Sequence, residues 1–229
     1  MLPSASVDPW WLEFTERKIV SSEKLLNECG GSYGDVILIL TGVISTMAAE
    51  RWSGRGFDRN RFIELLTDFA PETGVISVPR LCNHLVSCEL SAQAKQIWDY
   101  PENEFEMGRI LLGPDIDVNE ENIADDLASS ISLKVIRKYS YASLLYSDLR
   151  CSYSHEYKIG SNAEVHKMTR STKQCISYVN FHGEPFPLIH FDLNWLANVI
   201  RKCASRMVDW QSDQLSDIPS EWWIDGGVK

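Results

Sequence analysis

Positive charge is scarce in this chain: 22 Lys and Arg stand against 32 Asp and Glu, a formal net charge of -10. A protein that coats nucleic acid non-specifically draws most of its affinity from neutralising phosphates, so this balance excludes a general RNA or DNA binder. Any contact with a polyanion has to be made at a local basic site. Long hydrophobic runs are also missing. The longest, Val36 to Ala49, is interrupted by Thr41, Gly42, Ser45 and Thr46. A membrane span needs roughly 20 apolar residues, so this run reads as a buried helix and no membrane association is expected. The opening Met-Leu-Pro-Ser-Ala-Ser-Val-Asp has neither the basic nor the apolar stretch of a secretory signal. The six cysteines (Cys29, Cys82, Cys88, Cys151, Cys175, Cys203) are scattered. Reduced thiols and a cytoplasmic location are the expectation.

Motifs for the commoner chemistries are missing too. There is no P-loop, no GxGxxG and no serine nucleophile elbow, and no internal repeat or low-complexity tract. Cys82-x-His84-x-x-x-Cys88 lacks a second ligand pair at zinc spacing. Asp115-x-Asp117-x-Asn119 begins like a calcium loop, but Glu120 stands where glycine is needed and Asp126 where the bidentate glutamate belongs. That stretch reads as a solvated acidic loop. Neither a metal nor a cofactor is expected.

What is present is an ordinary globular composition, 44% apolar and 24% charged, in a chain of 229 residues with eight tryptophans. Residues 1–229 read as one mainly α-helical domain with an N-terminal helix inside 1–32 and a tail at 211–229. A helix opening at Asp8-Pro9 runs to about Glu28, where Gly30-Gly31 stop it. Asp35 is expected to cap an apolar helix from Val36 to about Trp52, ended by Gly54 and Gly56. Asp58 is expected to cap another over Arg59 to Phe69. A brief extended entry at Val75 to Val78 leads into a helix started by Pro79, and 91–99 adds a short turn. Pro101 to Asp126 is expected to be a solvated loop leading into a helix. From about 121 to 156 the apolar residues Ile123, Leu127, Ile131, Val135, Tyr139, Ala142, Leu145 and Leu149 recur at helical steps. A helix almost throughout is expected there, broken near Ser129 to Ser132. Gly160 to Thr172 is loop-like. A β-hairpin pairs Cys175–Phe181 with Phe186–Phe191, and Asp192 caps a last helix to about Trp210.

Chemistry concentrates in Tyr146-Ser-Asp-Leu-Arg150-Cys-Ser-Tyr-Ser-His155-Glu-Tyr157. Arg followed five positions later by His, late in an amphipathic helix, resembles the RxxxxH motif of HEPN domains, and Tyr157 extends the likeness to RxxxxHxY. Two further stretches, Arg55-Gly-Phe-Asp-Arg-Asn-Arg-Phe-Ile-Glu-Leu-Leu66 and Ile76-Ser-Val-Pro-Arg-Leu81, resemble a pattern of some bacterial HEPN proteins. The region of likeness spans roughly 33–210. The resemblance implies an antiparallel helical bundle, here with a small β-hairpin before the last helix. It also implies metal-independent cleavage of RNA by a homodimer with a composite site, in a toxin–antitoxin or phage-defence setting. In some proteins that this pattern resembles, a partner nucleotidyltransferase modifies the tyrosine, so an antitoxin or such a partner is implied for Tyr157. One departure stands out: the residue after the arginine is usually Asn, Asp or His, and here it is Cys151, whose thiol is a poor hydrogen-bond donor.

The residue types suit that chemistry. Imidazole exchanges protons near neutral pH, which makes His155 the acid/base candidate. A guanidinium matches the oxygens of a phosphorane in planar fashion, which makes Arg150 the clamp. Tyr157, Cys151 and Ser154 are supporting candidates. At 100° per residue Arg150 and His155 lie about 140° apart on a helix, whereas Arg150 and Tyr157 share a face. The plainer reading has Arg150 paired with Asp148 or Glu156, and His155 as a helix-end residue favoured by the dipole. Lys134, Arg137, Lys138 and Lys158 are the candidate RNA-binding residues. Together with Lys167, Arg170 and Lys173 they form either a local basic patch or a solvated face.

Overall fold

The computed structural model describes residues 10–52, 56–99, 109–127, 131–165, 174–180 and 185–209. It is mainly helical with a small antiparallel sheet. Several expectations lie outside these residues: the Asp8-Pro9 start, Gly54, the break at Ser129-Ser130, residues 101–108, Lys167, Arg170, Lys173, the hairpin turn at 182–184, Trp210 and the tail.

α1 (Trp10–Glu28), α2 (Tyr33–Arg51), α3 (Asp58–Phe69) and α11 (Leu193–Asp209) form the main bundle. α2 is apolar over most of its surface because it is packed against α1, α3, α11 and the motif-bearing segment, with Gly42, Thr46 and Glu50 on its one exposed face. Ile37, Ile44, Met47 and Ala48 are fully buried. Its composition would suffice for a membrane span, but half of that window is packed inside this core. Ser32 caps α2, not Asp35. Asp35 sits three residues into the helix and closes a capping box, accepting from the backbone and hydroxyl of Ser32. The Asp58 side chain likewise caps nothing; α3 starts at it, and its carboxylate pairs with Arg61.

A smaller apolar cluster joins α4 (Val78–Ser87), α5 (Ser91–Ile97), α7 (Glu120–Leu127) and α8 (Leu133–Arg137) through Leu81, Leu85, Ala94, Ile123 and Ile136. Tyr139 packs against both clusters. A 3-10 turn at Pro71–Gly74 links α3 to this part of the chain.

The helix expected over 121–156 is broken a second time. Val75 to Ser77 runs alongside Tyr139 to Tyr141, and the Ser77 N–H donates to Tyr139 O while the Tyr141 N–H donates to Val75 O. Those bonds replace the helical ladder, and Ser140 caps the next helix by accepting from the Ser143 N–H. The chain continues as α9 (Tyr141–Leu144), a π-helical segment (Leu145–Cys151) and α10 (Ser152–Glu156).

The hairpin is present as β2 (Ser177–Val179) and β3 (Leu188–His190), and the sheet holds a third strand. β1 (Ile110–Leu112) pairs with β2, Ile110 opposite Val179, and is followed by the short α6 (Gly113–Ile116). Asp117, expected in solvent, is partly buried. It accepts from the Tyr141 and Tyr178 hydroxyls and the Val78 N–H at the start of α4. Asp192 caps α11 as expected, accepting from the Asn194 and Trp195 N–H groups.

Candidate active site

The motif begins in the π-helical segment. A π turn closes i→i+5 hydrogen bonds and is rare; it occurs mostly as a single turn inside an α-helix, frequently at functional sites. Here it covers Arg150 and Cys151, and α winding resumes at Ser152. The single helical period used to place Arg150 and Tyr157 on one face therefore does not hold.

Arg150 is half-buried and lies over the Tyr146 ring, 5.3 Å from guanidinium to centroid, with Nη1 3.9 Å from Cys151 Sγ. Tyr146 in turn meets Phe62 of α3 edge-on at 5.2 Å. Burial, followed by a hydrogen bond with Cys151, pushes the Tyr146 hydroxyl up to about 12. The two carboxylates that could have neutralised Arg150 are engaged elsewhere. Asp148 is 4% exposed and accepts from the backbone N–H and side-chain amide of Asn162 and from Ser147. Glu156 pairs with Lys158 at 2.6 Å. Among the described residues Arg150 has no ion pair.

His155 is exposed near the end of α10, electrostatically coupled to Glu156, with Ser154 exposed beside it. Tyr157 leaves the helix in the left-handed region, φ 51° and ψ 34°, which is uncommon for a side chain of this size. Its hydroxyl donates to Asp35 Oδ1 on the first turn of α2, and its ring meets Tyr153 edge-on. That hydrogen bond raises the Tyr157 pKa above the ordinary value and lowers that of Asp35. Tyr153 packs on Gly34: a Cβ there would stand 2.5 Å from the ring, so only glycine lets α10 lie this close to α2. Arg150 thus rests on Tyr146, which packs against α3, whereas Tyr157 bonds to α2.

The candidate basic residues divide. Arg137 is held by Glu120 in a two-pronged bond of 2.7 and 2.8 Å, and Lys158 by Glu156, while Lys134 and Lys138 are exposed. No group of three or more His, Cys, Asp or Glu side chains able to hold a metal converges among the described residues.

Residue-type reasoning missed two members of this neighbourhood, Asn162 and the buried Arg80, whose guanidinium donates to Asn162 Oδ1, and it offered Asp148 only as a partner for Arg150. The signal available was the Val-Pro-Arg-Leu phrase around Arg80, which carried no assigned role. No family model matches the chain, and no curated protein and no solved structure shows significant similarity to it.

Proposed function

We propose that this protein is a metal-independent endoribonuclease of the HEPN type, acting as a homodimer, with Arg150 and His155 as its catalytic pair. The observation that carries this reading is the absence, among the described residues, of an ion-pair partner for Arg150. Its two neighbouring carboxylates, Asp148 and Glu156, are bonded to Asn162 and Lys158. The guanidinium rests on an aromatic ring at the surface, one short helix away from an exposed histidine. A guanidinium available to an incoming phosphate, with an imidazole able to move a proton, is what strand cleavage by the ribose 2′-OH needs. The 2′ oxygen forms a bond to phosphorus as its proton leaves to a base, and the bond to the 5′ oxygen breaks as that oxygen takes up a proton. The products are a 2′,3′-cyclic phosphate and a 5′-OH. Because Arg150 rests on Tyr146 in the π-helical segment while His155 stands exposed on the next short helix, two copies of the segment are proposed to supply one complete site. A toxin or phage-defence role, restrained by an antitoxin or by modification of Tyr157, belongs to the same reading.

A second reading is a HEPN module that binds a protein or nucleotide without cleaving RNA. The contact between Arg150 Nη1 and Cys151 Sγ favours it, because a thiol gives the guanidinium a weak neighbour where a strong hydrogen-bonding group is usual.

Incubating wild type and His155→Ala with end-labelled RNA in EDTA separates the two. Cyclic-phosphate ends from wild type alone support the nuclease. Intact RNA with both, from folded dimers, supports the binding module.

A further inference from the structure

Next to the motif lies a buried polar chain that connects it to a different part of the fold. Arg80, on the first turn of α4, is 4% exposed, and Asp148, in the π-helical segment, is also 4% exposed. A buried guanidinium and a buried carboxylate are each costly to hold unless their hydrogen bonds are made. Asn162 satisfies both. Its Oδ1 accepts from Arg80 Nε at 3.3 Å and Nη2 at 3.1 Å, while its Nδ2 donates to Asp148 Oδ1 at 3.1 Å and Oδ2 at 3.3 Å. Its backbone N–H adds a bond of 3.0 Å to the same carboxylate. The amide orientation is imposed from both ends, since a flipped amide would set oxygen against carboxylate and NH2 against guanidinium.

The two ends of this chain are themselves anchored. Arg80 Nη1 donates to the carbonyls of Phe186 and Pro187, just before β3, and Ile189 donates to Asn162 O. On the other side the Gly160 N–H donates to Asp148 O at 2.8 Å. A Cβ on Gly160 would stand 2.6 Å from Asp148 Cα, so the returning chain touches the π-helical backbone directly.

We propose that Arg80, acting through Asn162 and Asp148, is a positioning residue. The three hold the π-helical turn in register and thereby set the direction of Arg150, two residues beyond Asp148. The catalytic part of this inference rests on the ribonuclease reading above; the structural part does not. A π turn is rare beside α winding, and bonds from outside the helix add to what holds it. Here those bonds come from a loop clamped between α4 and β3.

The test is a polarity swap in the full-length protein. Asn162→Asp alone sets two carboxylates side by side. Asp148→Asn combined with Asn162→Asp restores a donor-to-acceptor match at the joint between 148 and 162, while Arg80 keeps an acceptor oxygen throughout. Amide exchange over 145–157 is expected to quicken about tenfold or more in Asn162→Asp with α11 unchanged, and to return toward wild type in the double variant. With RNA as substrate, Asn162→Asp is expected to lower kcat by roughly 10- to 100-fold, with KM within about twofold, and the double variant to recover most of the loss. Unchanged exchange over 145–157 in Asn162→Asp would overturn the proposal, as would a double variant no better than the single one. If Asn162→Asp does not fold, a folded double variant with native exchange supports the proposal, and an unfolded one overturns it. Should wild type leave RNA intact, the ribonuclease reading fails on its own and the exchange pattern still decides the brace.

Discussion

The Tyr157 hydroxyl donates to Asp35 across 122 residues of sequence, tying the end of the motif to the first turn of the central core helix. Asp35 is at the same time the closing member of the capping box with Ser32. One carboxylate therefore secures the start of α2 and the exit from α10, and it holds a large side chain in a left-handed turn that would otherwise favour glycine.

Removing that carboxylate has a spectroscopic consequence. With Asp35 in place Tyr157 ionises above the ordinary tyrosine value, because ionisation breaks its hydrogen bond. In Asp35→Asn the Tyr157 titration, followed by difference absorbance against Tyr157→Phe, is expected to fall toward that ordinary value. An unmoved titration would show that the bond does not persist in solution. The Asp35 contribution to stability is present above its unfolded pKa and disappears as the pH falls through its lowered folded value, so it vanishes only below the usual carboxylate range.

Asp117 has the opposite sign. Burial raises its pKa to about 7, against the pull of the Tyr141, Tyr178 and Val78 hydrogen bonds. The folded protein therefore holds that proton more tightly than the unfolded chain does. The stabilisation this supplies is complete below about pH 4 and disappears as the pH rises through about 7, on the order of a few kcal/mol in all. Asp117→Asn is expected to flatten the loss of stability between pH 5 and pH 8, read from urea midpoints. Parallel pH profiles for the two proteins would contradict this.

At Gly160 any side chain meets backbone as well as the Asp148 carboxylate. Gly160→Ala is expected to destabilise by about 1–3 kcal/mol, in the range for overpacking. Gly42, where a Cβ would meet nothing within 4 Å, provides the control. Gly42→Ala is expected to raise stability by roughly 0.5–1 kcal/mol through helix propensity. Chemical denaturation of the two variants side by side reads both.

The Cys151 thiol beside Arg150 marks a place where activity can be gained. Under the ribonuclease reading, Cys151→Asn is expected to increase the cleavage rate severalfold, because an amide supplies the donor and acceptor that a thiol lacks. A rate equal to or below that of wild type would remove Cys151 as the explanation for any weak activity.

The long periodic elements were legible from the residues alone. α1, α3 and α11 carry their apolar stripes at helical spacing, and Asp192 caps α11 as its position suggests. The hairpin strands β2 and β3 were legible too, as β-rich runs on either side of His182-Gly-Glu-Pro185 in the sequence. β1 was not, because three residues are too few to show alternation and its pairing partner lies far along the chain. The break at Tyr139 and Ser140 was hidden for a similar reason: the groups that interrupt the helix belong to Val75 and Ser77. At the site, Arg150, His155 and Tyr157 stand out by residue type and spacing. Asn162 is an ordinary loop asparagine until its two partners are seen.

The sequence by itself determined a helical chain with a buried apolar helix at its centre, a hairpin before the last helix, and one surface segment bearing Arg150, His155 and Tyr157. Those features follow from local periodicity and side-chain chemistry, which act over a few residues. The tertiary structure alone decided that Asp117 is drawn inward to Tyr141 and Tyr178, that the motif starts on a π turn, that Arg150 rests on Tyr146 while Tyr157 bonds to α2, and that Arg80 reaches Asp148 through Asn162. Most of these depend on a polar group finding its partner between 14 and 122 residues away, and the place of Arg150 depends on Tyr146 packing against Phe62 of α3. Such a match is dictated by the cost of leaving that group buried and unpaired, a cost that arises only once the chain has packed.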